Sequence, residues 1–292
     1  MSTPPHARLA PLARPSGGFA MVAVDQREAL RAMFAEHHDG PVTDEQLTDF
    51  KVRATRALSP HASGVLVDRQ FALDRVLAEG AVAPGCGLIV AADRLVPGGA
   101  ELVAQAQIDD EVVPERVRAV GAVALKLLVL WRPDEPPEPR IAMVERFLGL
   151  CRSADLISIV EPVSRPSRDG RAFDREHGVI AAARELGALG ADLYKAEMPR
   201  HSRGPEAEIL RGCAELTEAI ASPWVVLSSG VAPDDFPRAV ELACAEGASG
   251  FLAGRAVWKP VIGAPDLDGT LRSAAVPRLR RLASLVDDAV GR

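Results

Sequence analysis

A chain of 292 residues, 48% hydrophobic and 25% charged, is long enough to bury a large core and too apolar to be disordered. Its formal net charge of −6 weighs against a general nucleic-acid or anionic-membrane binder, because both need a concentrated basic surface. Cys86, Cys151, Cys213 and Cys244 stand far apart with no Cys-x-x-Cys pair, which argues against a zinc or redox motif and fits a reducing cytoplasm.

In chain order, the first fifteen residues carry Pro4, Pro5, Pro11 and Pro15 and no apolar run of signal-peptide length. Residues 1–15 therefore read as a flexible N-terminal arm and residues 16–292 as a single domain. No segment reaches the roughly 18 uninterrupted apolar residues of a membrane-spanning helix. Short runs rich in Val, Ile and Leu then recur to the end, at 19–24, 64–67, 87–91, 124–130, 157–160, 192–197, 224–228 and 250–253. Helical patterns separate them, at 26–38, 45–58, 141–154, 175–186, 206–220 and 234–246, with a last one at 270–290. Thr43 and Gln46 form a capping-box pattern, and the proline-rich 133–139 reads as a rigid lead into the fourth helix. Eight such units, with no Gly-x-Gly-x-x-Gly turn after the first, predict a closed (β/α)8 TIM barrel rather than an open doubly wound α/β sheet.

In such a barrel the chemistry stands at the C-terminal strand ends. Those ends are polar here: Asp25-Gln26-Arg27 after the first run, Asp68 after the second, Asp93 after the third and Glu161 after the fifth. Lys126 lies within the fourth, and Lys195 and Glu197 within the sixth. Period-two alternation puts Leu193, Lys195 and Glu197 on one face with Tyr194 on the other, and Lys126 with Ala124 and Leu128. A strand lysine is most often a solvated face residue, but lysine is scarce here: of 34 basic residues only Lys51, Lys126, Lys195 and Lys259 are lysines. Arginine cannot be deprotonated or form an imine, so a retained lysine invites a role for its amine. Chance retention is enough to account for Lys51 and Lys259.

The seventh and eighth runs end in Ser228-Ser229-Gly230 and Ala253-Gly254-Arg255, the two loops that form the phosphate site of many barrels. Arg165, Arg168, Arg171, Arg200 and Arg203 make the neighbouring loops basic, an arrangement that steers an anionic substrate. His37 and His38, adjacent on a helix and pointing apart, make no metal pair, and no metal or other cofactor is expected.

The chain resembles the class I aldolases of the tagatose-bisphosphate aldolase superfamily, and within it the sulfofructosephosphate aldolases. The matching stretches include Ser16-Gly-Gly-Phe-Ala-Met-Val-Ala-Val-Asp-Gln-Arg-Glu28, Leu66-Val-Asp-Arg-Gln-Phe71, Ala124-Leu-Lys-Leu-Leu-Val-Leu-Trp131, Asp192-Leu-Tyr-Lys-Ala-Glu-Met-Pro199 and Gly250-Phe-Leu-Ala-Gly-Arg-Ala-Val-Trp258. Arg69 departs from the glutamine of that pattern. The resemblance implies an aldehyde-lyase in which Lys195 forms an imine with C2 of 6-deoxy-6-sulfofructose 1-phosphate. Glu161 would move protons, Lys126 would help keep Lys195 neutral, and Asp25 would orient hydroxyls. Ser229, Gly230, Gly254 and Arg255 would hold the C1 phosphate, and the products would be dihydroxyacetone phosphate and 3-sulfolactaldehyde. Gln26 with Arg27 is assigned to the sulfonate, which wants fixed donors. Barrel aldolases of this kind commonly assemble, so a homo-oligomer, dimer or tetramer, is expected. Tagatose or fructose 1,6-bisphosphate is the alternative substrate, transaldolase chemistry uses the same imine, and a non-catalytic sugar-phosphate-binding barrel is the reading from another class.

Overall fold

The computed structural model describes residues 7–37 and 39–291. Among them are ten strands: β1 (Phe19–Ala23), β2 (Gly64–Asp68), β3 (Gly87–Ala91), β4 (Asp93–Gly98), β5 (Glu101–Ile108), β6 (Ala122–Trp131), β7 (Ile157–Ser164), β8 (Leu193–Ala196), β9 (Trp224–Val226) and β10 (Gly250–Ala253). Eight of them close into a parallel barrel in the order β1-β10-β9-β8-β7-β6-β3-β2. The expected (β/α)8 barrel is the fold. Its strands are buried on both faces, which is why they read as near-continuous apolar runs.

Alternation along each strand sorts two layers. Met21, Leu66, Ile89, Ala124, Ile159, Leu193, Val225 and Leu252 fill the barrel interior. Their neighbours in sequence, among them Val22, Val65, Val90, Leu125, Val160 and Tyr194, pack outward against the helices. The helical patterns appear close to their expected places, at Glu28–Ala35, Asp44–Leu58, Pro137–Ser153, Arg175–Leu186, Glu206–Ala219, Phe236–Ala245 and Val276–Val290. The capping box is formed: the Thr43 side chain accepts from the Gln46 backbone N–H and the Thr43 N–H donates to Gln46 Oε1 at 2.8 Å.

Three features depart from the sequence reading. From residue 7 onward the expected arm is built into the fold: Ala7–Leu12 forms a 3-10 turn whose Leu9 and Leu12 are fully buried at the barrel floor. Arg8 is tied to Asp192 at 2.9 Å and Arg14 to Asp287 at 2.6 Å. Residues 1–6 of that expectation, and His38 of the histidine pair, lie outside the described residues. The second departure is an antiparallel hairpin, β4 with β5, inserted after β3 and ahead of the short helix Pro114–Ala119. β5 buries only Ala104 and Ile108, so no continuous apolar run of the barrel kind marks it in the sequence.

The third concerns Glu197. β8 ends at Ala196, so alternation stops one residue before it. Its carboxylate turns away from the barrel axis, accepting the Ser164 N–H at 2.7 Å and pairing with Arg175 at 3.2 Å.

Candidate active site

At the C-terminal end of the barrel a cavity of about 620 Å³ opens, lined by side chains of β6, β7 and β8, the loops after β1 and β10, and the hairpin. Alternation on β8 turns Lys195 inward, as expected, because Leu193 belongs to the interior layer and Tyr194 and Ala196 to the outer one. The Lys195 Nζ lies 2.8 Å from Glu161 Oε1. Glu161 Oε2 stands 3.1 Å from Lys126 Nζ, which also meets Asp25 Oδ2 at 2.7 Å and Asp93 Oδ2 at 2.8 Å. Asp93 Oδ2 accepts the Leu128 N–H at 3.0 Å, fixing the carboxylate to the strand that carries Lys126.

Lys195 and Lys126 are 4% and 1% exposed, so solvent does little to screen these contacts. Burial would push the Asp25 carboxyl up, but the Lys126 and Lys195 ammonium charges outweigh it and hold Asp25 below the usual carboxylate range. Burial would likewise pull Lys126 down, yet Asp25, Asp93 and Glu161 keep it charged well above the ordinary lysine value. Lys126 is thus held as a cation, and the Glu161 carboxyl group lies between it and Lys195. Two buried polar atoms of this region have no hydrogen-bond partner among the described residues: Gln26 Oε1 and Arg27 Nε. Buried polar atoms are ordinarily satisfied, so unmet groups beside a cavity are free to exchange hydrogen bonds with a ligand.

The two glycine loops meet as expected. Arg255 Nη2 donates to Ser229 Oγ at 2.8 Å, and both line the cavity. Burial lowers Arg255 below the ordinary arginine value despite Glu161 and Asp25, with Arg165 adding repulsion, so an anion here would meet an undercompensated guanidinium. Gly230 has φ +76, and a Cβ on it would lie 2.3 Å from His201 Nε2. At Gly254 a Cβ would fall 2.4 Å from the Ala23 carbonyl and 3.0 Å from Gln26 Nε2. Neither loop admits a side chain.

Gln26 and Arg27 both line the cavity but have different neighbours. The Gln26 amide lies beside Gly254, on the side of the Ser229–Arg255 contact, because β1 pairs with β10. The Arg27 guanidinium turns the opposite way, to Asp93 Oδ1 at 3.1 Å.

The profile of the DeoC/LacD family aldolases matches residues 19–260. The chain belongs to that family. It is accordingly a lyase, an aldolase of class I type. Among curated proteins, this aldolase is 28% identical over 269 residues to tagatose 1,6-diphosphate aldolase 1 of Streptococcus pyogenes serotype M3, covering 83% of this chain and 81% of that protein. It is 25% identical over 310 residues to tagatose 1,6-diphosphate aldolase of Listeria monocytogenes serotype 4a, covering 95% and 90%. Its fold is similar to that of the fructose-bisphosphate aldolase of Plasmodium falciparum, with a TM-score of 0.70 at 13% identity over 96% of this chain and 92% of that one. It is also similar to an archaeal fructose-1,6-bisphosphate aldolase solved with its catalytic lysine bound to a carbinolamine, with a TM-score of 0.63 at 17% identity over 96% and 98%.

Sequence reasoning on the aldolase passed over three of the residues gathered here. Asp93 was placed on the rim but given no task, although it grips Lys126. Arg165 was one basic loop residue among several, yet it lines the cavity and its guanidinium has no partner among the described residues. Lys51, set aside as chance, is fully buried and paired with Asp68. Its place on the apolar stripe of its helix, with Leu47, Ala54 and Leu58, was the signal available.

Proposed function

We propose that this aldolase cleaves a ketose 1-phosphate through an imine on Lys195. The observation that carries the reading is the Glu161 carboxylate, one oxygen 2.8 Å from the Lys195 amine and the other 3.1 Å from the Lys126 ammonium. Glu161 takes the proton that Lys195 must lose before its lone pair can attack the C2 carbonyl. Carbinolamine forms as the carbonyl oxygen is protonated, and loss of one water gives the iminium. The C4 hydroxyl then loses its proton, the C3–C4 bond breaks, and its electron pair moves into the enamine. Protonation at C3 and readdition of water release dihydroxyacetone phosphate and restore the lysine. Lys126, charged throughout, stabilises Glu161 as a carboxylate and holds Asp25 in place. Ser229, Gly230, Gly254 and Arg255 hold the C1 phosphate.

For the far end of the substrate we propose a sulfonate, making the natural substrate 6-deoxy-6-sulfofructose 1-phosphate and the second product 3-sulfolactaldehyde. The Ser16-Gly-Gly-Phe-Ala20 opening, the Val67-Asp-x-Gln-Phe71 turn and Leu130-Trp-Arg132 favour it. Gln70 of that turn lines the cavity, and Arg132 pins the hairpin through Glu101 at 2.6 Å. Arg27 is engaged by Asp93 and Gln26 lies beside Gly254, so Arg165, with no side-chain partner among the described residues, is the added candidate for the anion. The tagatose 1,6-diphosphate aldolases among its relatives support a second reading, in which a phosphate occupies that end.

Purified protein assayed with the sulfo-substrate beside tagatose 1,6-bisphosphate separates the two. We expect kcat/KM to favour the sulfo-substrate by at least about tenfold, equal to about 1.4 kcal/mol of transition-state discrimination. Faster turnover of the bisphosphate would reverse the assignment. Borohydride should leave one reduced adduct, on Lys195, and Lys195→Met should abolish both adduct and turnover.

A further inference from the structure

Lys51 projects from the helix Asp44–Leu58 into the layer behind the active site and is buried against Asp68 at the end of β2, both groups 0% exposed. Asp68 is held in turn by the Phe71 N–H at 2.8 Å, and the Phe71 ring lies 5.4 Å from the Lys51 ammonium, with the Arg31 guanidinium 5.7 Å from the same ring. Such a pair is a poor device for stability, since well-packed apolar residues of similar volume usually do as well or better. Nothing in the imine chemistry touches it.

Its surroundings suggest a different use. Arg27 touches Asp93 and lies within Coulombic reach of Asp68 without a direct contact to it: burial lowers its guanidinium, but Asp93, Asp68 and Asp25 outweigh this and hold it above the ordinary value. From Arg27 the contacts run to Asp93 at 3.1 Å, to Lys126 at 2.8 Å, to Glu161 at 3.1 Å and to Lys195 at 2.8 Å. Charges alternate along the whole line, from Lys51 through Asp68, Arg27, Asp93, Lys126 and Glu161 to Lys195, with Asp25 as a branch on Lys126. Cations and carboxylates are equal in number when Lys195 carries its proton. A neutral Lys195 therefore leaves the buried line with one surplus negative charge.

We propose that Lys51 is a positioning residue for the imine step, setting through Asp68 and Arg27 the electrostatic balance that decides how readily Lys195 gives up its proton. No proton travels along the line; the effect is Coulombic, and burial lets it reach farther than it would in water. The inference rests on Lys195 being the imine-forming lysine. Groups facing Lys51 are Asp68 from β2 and, farther off, Asp25 and Arg27 from the loop after β1.

The test uses the full chain and dihydroxyacetone phosphate as probe, following the rate of borohydride trapping against pH, with thermal unfolding measured alongside. Lys51→Met leaves Asp68 uncompensated, so the trapping profile should move to higher pH and the rate at pH 7 should fall about 3–10-fold. Asp68→Asn leaves a bare cation and should move the profile to lower pH. The double variant should return to within about twofold of wild type, and Lys51→Arg should match it. A merely structural pair gives another pattern: both single variants lose Tm, and their profiles either coincide with wild type or shift the same way. That result overturns the proposal. If Lys51→Met does not fold, the direction of the Asp68→Asn shift decides alone. Absence of any adduct on Lys195 in the wild-type chain would instead strike at the imine reading itself.

Discussion

Glu161 uses its two oxygens for two different lysines, and that division makes a sharp prediction. Glu161→Gln keeps the shape and one acceptor but cannot take a proton, so kcat should fall about 10²–10⁴-fold with KM changed far less. Steady-state kinetics on the preferred substrate checks this, and a loss below tenfold would remove Glu161 from proton transfer. Lys195 and Glu161 were legible in the sequence because each sits at or near a strand end and lysine is rare. The split between Gln26 and Arg27 was not. Side-chain direction past a strand end follows the loop backbone, and Arg27 with φ −111 and ψ −96 departs from the alternation that guided the reading. Glu197 misled for the same reason, one residue beyond the last paired position of β8.

Among the elements, the eight barrel strands were readable since each is an apolar run bounded by turn signals, and the main helices since each carries a 3.6-residue pattern. The hairpin was not: Pro97-Gly-Gly99 between Leu95-Val96 and Leu102-Val103 is a turn between two short β-prone runs, but it stood where the repeat predicts a helix. The N-terminal turn escaped for a different reason. Leu9 and Leu12 are too few to form a pattern, and only the open bottom of a barrel gives them a place to go. Leu12→Ala should therefore cost about 2–5 kcal/mol, as for a fully buried core leucine, while kcat of the folded protein stays near wild type. Denaturant titration and activity at low temperature read the two separately. A cost below about 1 kcal/mol would mean that the turn does not plug the barrel.

Over the whole molecule, the buried charges tie stability to pH. Burial raises Asp93, but Lys126 and Arg27 outweigh it, and its folded-state pKa lies below the unfolded value. Asp25 behaves alike. Stability from such groups is fully present above the unfolded carboxylate value near 3.9 and is lost as pH falls through the depressed folded one. Wild type and Asp93→Asn should thus differ most in unfolding free energy at pH 6–7 and converge on acidification. Denaturant midpoints measured between pH 7 and pH 3 test it, and a constant gap would show that Asp93 contributes by packing alone.

Arginine supplies nearly all of the positive surface charge, and the burial of Lys51, Lys126 and Lys195 leaves Lys259 as the solvent-facing side-chain amine. Covalent chemistry aimed at lysine therefore has a narrow choice on the native protein. An acylating dye or an activated resin will find Lys259, which is not among the residues lining the cavity although it follows Arg255 by four positions, so labelled or immobilised enzyme should keep its turnover. The intact mass of the labelled protein then becomes a gauge of the interior: a further side-chain addition signals that a buried amine has come within reach of solvent.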